Sequence, residues 1–309
     1  MCCFSAKTEV HGTSIFARLT KPGVQALAYQ MTYKAAEPTA MILPLPVALP
    51  AREGSVRFVD LKAYPDFFSS LDAGFPHVER SAFFGSKSAA AVPPSQLAVH
   101  DVGDFIASFV PTVADFDRVD ARFAISKDVW AKIPAYKDYG FAVFQLKQLS
   151  GAPHPIAFEL DTRLTETVFF PTVHIHDGTV HETDDFDHAL YLQAAAFDDR
   201  VGGYDGPDAI DKRTGFVRSK LPAREFADAA RAKGLVDPAL LVHKVTMNGK
   251  LPNKDTFYDL KAIASASRGC SRCDAAGGGG VGGAALHVGL AAAGFAWIVR
   301  RRDALRGKG

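Results

Sequence analysis

The sequence predicts an α+β fold that is rich in β-strands. Short runs of β-branched and aromatic residues, separated by turn residues, fill most of the chain, and only one stretch carries a strong helical pattern. With 309 residues the chain is long enough to bury a substantial core. We therefore expect a domain of antiparallel sheets with a few helices over residues 1–262, followed by a separate tail over residues 263–309.

The first half of the chain has the pattern of strands with one short helix. Residues 21–23 (Lys-Pro-Gly) predict a hairpin turn, and a short helix is expected within residues 60–73. Pro44, Pro46 and Pro50 predict that the end of the third run is an edge strand or an extended loop, because proline has no N–H to donate. The predicted strands of this half are residues 13–20, 24–33, 40–47 and 56–59.

The second half adds more strands and the best helical pattern. Residues 221–233 are rich in alanine and in charged residues on one face, and Gly234 is a typical stop signal, so we predict an amphipathic helix there. Asn248 and Gly249 predict a turn that ends the last strand. The predicted strands of this half are residues 140–149, 154–160, 168–175 and 240–247.

The tail has a different composition. Residues 275–299 carry no acidic or basic side chain apart from His287, and three arginines follow at 300–302. Such a length and flank predict a C-terminal hydrophobic helix that spans a membrane. Eight glycines in the run favour the alternative, a flexible linker that leads into a short packed helix.

Charge and targeting signals restrict the expected partners and location. A formal net charge of +1 gives no general attraction to nucleic acid. The first ten residues lack the basic and apolar regions of a secretory signal. We expect a bacterial protein bound to a membrane through its tail or located in the cell envelope, and a cytoplasmic one if the tail is not an anchor.

Residues 174–188 hold four of the ten histidines and five carboxylates. Alternation along a strand would place His174 and His176 on one face, with His181 on the returning chain. Imidazole and carboxylate groups suit zinc, copper or iron, so the pattern predicts a transition-metal site, and whether the metal is catalytic stays open. The alternative is an acidic surface loop whose histidines pair with carboxylates. The predicted ligands are His174, His176, His181, His188 and Asp177.

The N-terminal cysteines suggest a second chemistry. Removal of Met1 would leave Cys2 with a free α-amine, which can act as the base for its own thiol, as in N-terminal nucleophile amidohydrolases. Cys2 is the predicted catalytic residue of that hypothesis, with Arg18 as its candidate partner. A further alternative joins Cys2 and Cys3 to Cys270 and Cys273 in a zinc site with four thiolates.

Two regions carry a family resemblance. Cys3-Phe4, together with the segments at residues 16–18, 29–33 and 40–47 (FAR, YQMTY, AMILPLPV), resembles an uncharacterised bacterial envelope-protein family with a cysteine-rich start and a hydrophobic-Pro-hydrophobic-Pro strand. Residues 270–302 look like the C-terminal sorting tails of myxobacterial surface proteins. The resemblance implies an envelope-associated protein and supplies no catalytic residues, which leaves a third hypothesis, a non-enzymatic envelope or interaction module.

Overall fold

A computed structural model describes residues 3–75, 97, 99–204 and 209–265. The chain divides into two units, Met1–Arg272 and Cys273–Gly309, and the described residues all belong to the first. The predicted boundary after residue 262 stays a prediction.

The larger sheet is mixed and has eight strands, seven of which form its main path. Its order is β13-β14-β12-β2-β3-β10-β5, and β9 pairs with β3 beside that path. Its central pair, β12 and β2, is parallel, whereas the other neighbours are antiparallel. The strands are β2 (Thr8–Lys21), β3 (Val24–Ala35), β5 (Val56–Asp60), β9 (Ser150–Gly151), β10 (Ile156–Asp161), β12 (Thr183–Gln193), β13 (Val217–Arg218) and β14 (His243–Pro252).

The smaller sheet has five antiparallel strands in the order β1-β4-β8-β7-β6. Every residue of β4 and β8 is buried, which explains why their sequences read as nearly continuous apolar runs. The strands are β1 (Cys3–Phe4), β4 (Ala40–Leu45), β6 (His100–Val102), β7 (Phe105–Val110) and β8 (Gly140–Leu146).

The remaining elements are short. A two-stranded sheet joins β11 (Thr167–Phe170) to β15 (Thr256–Asp259). The α-helices are α1 (Phe67–Asp72), α2 (Lys127–Ala131), α3 (Ala195–Asp198) and α4 (Leu260–Ser265). The prediction of a β-rich domain with mostly antiparallel sheets and few helices is therefore confirmed in this coarse form.

Two apolar cores lie on opposite faces of the large sheet. The main core joins residues of both sheets, among them Ile15, Phe144 and Leu190. The second core packs α1 and residues 223–242 onto the other face, around Phe16 and Tyr191. Neighbouring residues of β2 and β12 thus supply opposite cores, as the alternation of side chains along a strand requires.

The hairpin turn at residues 21–23 is present, and the predicted amphipathic helix is not. Gly23 has φ +77°, a value that favours glycine in a tight turn. Within residues 221–233 the only helical turn is the 3₁₀ segment Ala223–Glu225. Its flanking amides bond to distant chain instead, since Ala223 N donates to Leu240 O and Asp228 N donates to Tyr64 Oη. The helical prediction was wrong: the local bonds of Ala227 N to Ala223 O and of Ala232 N to Asp228 O are separated by Asp228 N, which bonds to Tyr64 instead of to the preceding turn.

The boundary of one strand and the presence of another also differ from the prediction. The turn expected at Asn248 and Gly249 lies inside β14, which continues to Pro252. The most consequential omission is β12, an eleven-residue central strand in a stretch that the sequence analysis treated as a turn and its return.

The prediction of a transmembrane helix is wrong for the part of the chain that the structure describes. Its longest α-helices, α1 and α4, have six residues each. None of the described helices is long and apolar enough to cross a membrane. The predicted hydrophobic helix at residues 275–299 lies outside the described residues.

Candidate functional site

Three of the predicted histidines meet in the interior beside the N-terminal strand. His174 and His176 lie on the extended chain after β11, and His188 lies on β12. The side chains of His174 and His188 are fully enclosed, and His176 is partly buried. We call these three residues the histidine stack.

The rings of the stack lie nearly parallel. The centroids of His174 and His176 are 5.1 Å apart with an interplanar angle of 10°. The centroids of His174 and His188 are also 5.1 Å apart, with an angle of 15°. Phe186 packs against His174 at 4.2 Å between centroids, so apolar surface closes the stack on the β12 side.

Hydrogen bonding fixes the protonation of two rings. Asp187 N donates to Nδ1 of His188 at 3.2 Å, so the His188 proton belongs on Nε2. That Nε2 lies 3.3 Å from Nε2 of His174, so in this tautomer His188 donates a hydrogen bond to His174, whose own proton is on Nδ1. In this assignment both imidazoles are neutral.

The carboxylates around the stack do not turn it into a charged site. Asp184 Oδ2 lies 3.2 Å from Nδ1 of His174 without the alignment of a hydrogen bond, so the contact is electrostatic. Burial lowers the pKa of His174 far below its usual range, and the neighbouring imidazoles lower it further. Burial likewise lowers the pKa of His176, and it lowers the pKa of His188 to about 3 despite the opposing effect of Asp187.

Asn253 holds the chain that carries the histidines. His174 N donates to Asn253 Oδ1 at 2.7 Å, and Asn253 Nδ2 donates to the carbonyls of His174 and His181 at 2.9 and 3.0 Å. One amide side chain thus ties a buried and an exposed segment together. The sequence analysis missed this residue, and its only signal was an Asn after Pro252 in a polar connection between strands.

A buried acid lies at the other end of the same segment. Asp255 is partly exposed as a residue, but its carboxyl is enclosed, with Tyr136 Oη donating to Oδ2 at 2.6 Å. The amides of Thr172 and Val173 donate to Oδ1 at 2.9 and 3.2 Å. Burial raises the pKa of Asp255 to about 6, and these hydrogen bonds oppose the rise. Nothing in the sequence marked Asp255 as distinct from other aspartates.

The predicted metal site is not formed. His181 is half exposed and lies away from the stack in a pair with Asp177, with 3.1 Å between Nε2 and Oδ2. Across residues 3–75, 97, 99–204 and 209–265 no group of three or more His, Cys, Asp or Glu side chains could hold a metal ion. This finding contradicts the prediction of a metal-binding protein for the described residues, and zinc, copper or iron as a cofactor stays a prediction.

The cysteine hypotheses fall mostly outside the described residues. Cys2, Cys270 and Cys273 lie outside the described residues, so the Cys2 nucleophile and the site with four thiolates both stay predictions. Cys3 is buried in β1. Its backbone forms a parallel β-bridge with Ile175, the residue between His174 and His176.

Comparison with known proteins gives no family. No family model matches the chain, and no curated protein matches it. Three solved structures show a distant likeness. The crystal structure of baculovirus P35 has 15% identity and a TM-score of 0.44, covering 84% of this chain and 99% of that one. A mutated baculovirus P35 after caspase cleavage has 15% identity and a TM-score of 0.41, covering 81% and 99%. A caspase-8/P35 complex has 14% identity and a TM-score of 0.40, covering 80% and 95%. These TM-scores are too low for the likeness to support a conclusion about fold or function.

Proposed function

We propose that the chain is a non-enzymatic interaction module that binds an extended peptide segment along the outer edge of β14. The observation that carries the proposal is the unpaired length of that edge. β14 has ten residues, but β13 pairs with only Lys244 and His243. In the part of the chain that the structure describes, β12 and β13 are the only strands that pair with β14, which leaves residues 246–251 as an open edge.

The chain before β13 turns away from this edge. In the register of β13, residue 215 would lie opposite Thr246. Gly215 N donates instead to Asp211 O at 2.7 Å, and Gly215 has φ +76°, which reverses the chain. A second strand could therefore enter at Thr246 without displacing β13.

The direction of the backbone groups follows from the hydrogen bonds at the start of the strand. Val242 N donates to Ser219 Oγ at 3.0 Å, and Val242 O accepts from Ser219 N at 2.7 Å, so both groups of Val242 point away from β12. Because this direction alternates along a strand, the N–H and C=O groups of Thr246 and Asn248 point outward as well. Unpaired edge groups of this kind accept an added strand.

The side chains define the chemistry of the partner. Val245 and Met247 pack onto the main core and remain partly exposed, whereas Thr246 and Asn248 are exposed on the opposite face. An added strand would lie with alternate residues beside Val245 and Met247. We therefore expect a peptide of about six residues that is apolar at alternate positions.

Selection from a displayed library of random nonapeptides, using the full chain as bait, tests this proposal. Thr246→Pro removes the outward N–H at an edge position that tolerates proline, and Thr246→Val keeps that donor as the matched control. Selected peptides should bind Thr246→Pro at least about tenfold more weakly than wild type, the equivalent of about 1.4 kcal/mol, and should bind Thr246→Val normally.

Hydrogen exchange provides the second arm. The amides of Thr246 and Asn248 should exchange quickly in the chain alone and become protected by a selected peptide. Protection of both amides in the absence of peptide would show that the edge is already covered, and equal binding by Thr246→Pro would place the peptide elsewhere. Either result would overturn the proposal.

We propose, as a second candidate, that Cys2 acts as an N-terminal nucleophile. The support is the anchoring of the residues that follow Cys2, because Cys3 is buried in β1 and Phe4 N donates to Ile175 O at 2.9 Å. Amide hydrolysis by the processed chain should be lost in Cys2→Ser and kept in Cys3→Ser. Equal hydrolysis by Cys2→Ser and wild type would exclude the candidate.

The envelope location is also a proposal, supported only by the composition of residues 270–302. Cell fractionation of the full chain and of a chain ending at residue 269 tests it. Identical distribution of the two chains would contradict an anchoring tail.

A further inference from the structure

The two ends of the open edge of β14 are different. At one end β13 already pairs with the first two residues of β14, and the chain before β13 turns away at Gly215. This turn lies beside the edge, because a Cβ added at Gly215 would be 3.9 Å from Cγ2 of Val245. At the other end β14 runs on to Pro252, and no strand of the described residues pairs with it there on the outer side. A strand added along residues 246–251 would therefore meet a stop at its Thr246 end only.

The direction of an added strand decides which of its ends meets that stop. β13 is antiparallel to β14, with Val217 opposite Lys244, so its residue numbers fall as those of β14 rise. A peptide in the same direction would have its C-terminal residue opposite Thr246 and its N-terminal part opposite Leu251. Thr246 would exchange both of its outward hydrogen bonds with that terminal residue, so its N–H would donate to the terminal carboxylate. A parallel peptide would have its N-terminal amine beside Gly215 instead.

The charges of the turn before β13 favour a carboxylate at the stop. Lys212 and Arg213 are both exposed and directly precede Thr214 and Gly215. Asp211 is occupied within the turn, because its Oδ1 accepts from the amides of Arg213 and Thr214 at 2.9 and 3.0 Å and its Oδ2 lies 3.5 Å from Arg213 Nη2. With two cations to one carboxylate, the turn attracts the C-terminus of a peptide and repels an N-terminal amine.

The opposite end of the edge has the reverse charge. In the register of β12 with β14, Asp184 and Asp185 lie beside the last residues of β14. Glu182, directly before β12, is exposed. These three carboxylates outnumber Lys250 and Lys254, the lysines of the same end. An antiparallel peptide, negative at its C-terminus and positive at its N-terminus, matches this polarity, and a parallel peptide opposes it.

We propose that the edge of β14 binds the free C-terminus of a partner chain, antiparallel to β14, with the terminal carboxylate between Thr246 N and the cations Lys212 and Arg213. This inference rests on the proposed peptide binding at β14 and adds the direction of the peptide and the part of the partner that binds. The second and fourth residues from the partner's C-terminus lie opposite Met247 and Gly249, on the face of β14 whose side chains pack onto the main core. We therefore expect these two partner residues to be apolar.

Two displayed libraries of random nonapeptides test the direction, with the full chain as bait. One library is joined to its carrier through the N-terminus and presents a free carboxylate, and the other is joined through the C-terminus and presents a free amine. Binders that are weakened by Thr246→Pro should come from the first library only. Equal enrichment of such binders from both libraries, or enrichment from the second alone, would overturn this inference and leave peptide binding at β14 intact. Binders from neither library would overturn the proposed peptide binding and this inference with it.

The role of the cations is tested with the strongest binder of the first library, synthesised as the free acid and as the C-terminal amide. Wild type should bind the acid at least about tenfold more tightly than the amide at low ionic strength, and the ratio should shrink in about 0.5 M salt, which screens exposed charges. This comparison does not depend on the folding of a variant. Equal affinity for acid and amide would place the carboxylate away from the turn and overturn the inference.

A matched pair of lysine variants locates the carboxylate. Lys212→Gln should reduce the acid-to-amide ratio about threefold, the effect of one exposed charge at roughly 7 Å. Lys254→Gln removes an exposed lysine beyond the other end of β14 and should leave the ratio unchanged. A ratio that Lys212→Gln does not change, or that both variants reduce equally, would contradict the proposed position of the C-terminus.

Discussion

The two ends of one short stretch of chain show how burial changes the role of the same residue types. His174 has a fully enclosed side chain next to Asp184, whereas His181, seven residues later, is half exposed next to Asp177. Both are histidine–aspartate contacts of similar length, 3.2 and 3.1 Å. Only the buried contact belongs to a network in which removal of one partner leaves a polar group without water. Substitutions at the buried end should therefore lower the free energy of unfolding more than substitutions at the exposed end.

The largest expected effect comes from the acid that holds the buried end. Asp255→Ala leaves the hydroxyl of Tyr136 and the amides of Thr172 and Val173 without their acceptor. Each unsatisfied buried donor costs about 1–3 kcal/mol, so we expect a loss of about 3–5 kcal/mol in the free energy of unfolding. Urea denaturation monitored by fluorescence measures it. Asp177→Ala is the exposed control, and a loss there as large as in Asp255→Ala would contradict the comparison.

The second largest expected effect is a loss of stability at the buried end when the pH is lowered. His188, with a pKa lowered to about 3, loses about 1.4 kcal/mol of stabilisation per pH unit below about 6.5, and His174 and His176 act in the same direction. Asp255 opposes them, because its raised pKa of about 6 adds stability as the pH falls toward 3.8. We expect the free energy of unfolding to fall by about 2–4 kcal/mol between pH 6.5 and pH 5. Equal stability at the two pH values in urea titrations would show that the rings are not buried as described.

The residue that joins the two ends should have an intermediate effect. Asn253→Ala removes one acceptor for His174 N and two donated bonds, to the carbonyls of His174 and His181. We expect a loss of about 2 kcal/mol, since only part of this network is enclosed. Thermal denaturation should show a lower midpoint for Asn253→Ala than for Lys254→Ala, an exposed neighbour. Indistinguishable midpoints would mean that the clamp contributes nothing.

The smallest effect belongs to the exposed end. His181→Ala breaks a surface pair with Asp177, and such pairs contribute about 0–1 kcal/mol. We expect a change within about 0.5 kcal/mol at pH 7, measured by the same urea titration. A loss above about 2 kcal/mol would show that His181 is part of the buried network after all.

The sequence predicted the strand content well where the apolar pattern was not interrupted. The β-branched and aromatic runs predicted β2, β3 and β4. The Lys-Pro-Gly sequence predicted the hairpin turn between β2 and β3, which the structure has at Gly23. The sequence analysis did not predict β12, because its first five residues, TDDFD, are mostly acidic. Phe186, His188, Leu190 and Leu192 alternate toward the interior, but a buried histidine in that row looked like a ligand.

The sequence alone determined the local choices, namely which segments extend, where the chain turns and which residue types could carry chemistry. It placed four histidines in one stretch but contained no information on the direction of their nitrogens. The tertiary structure decided that three rings stack while the fourth stays at the surface, and that residues 221–233 bond to distant segments of the chain instead of forming a helix. Burial and hydrogen bonding depend on partners far away in the chain, such as Asn253 for His174 and Tyr64 for Asp228, and no local pattern encodes those distances.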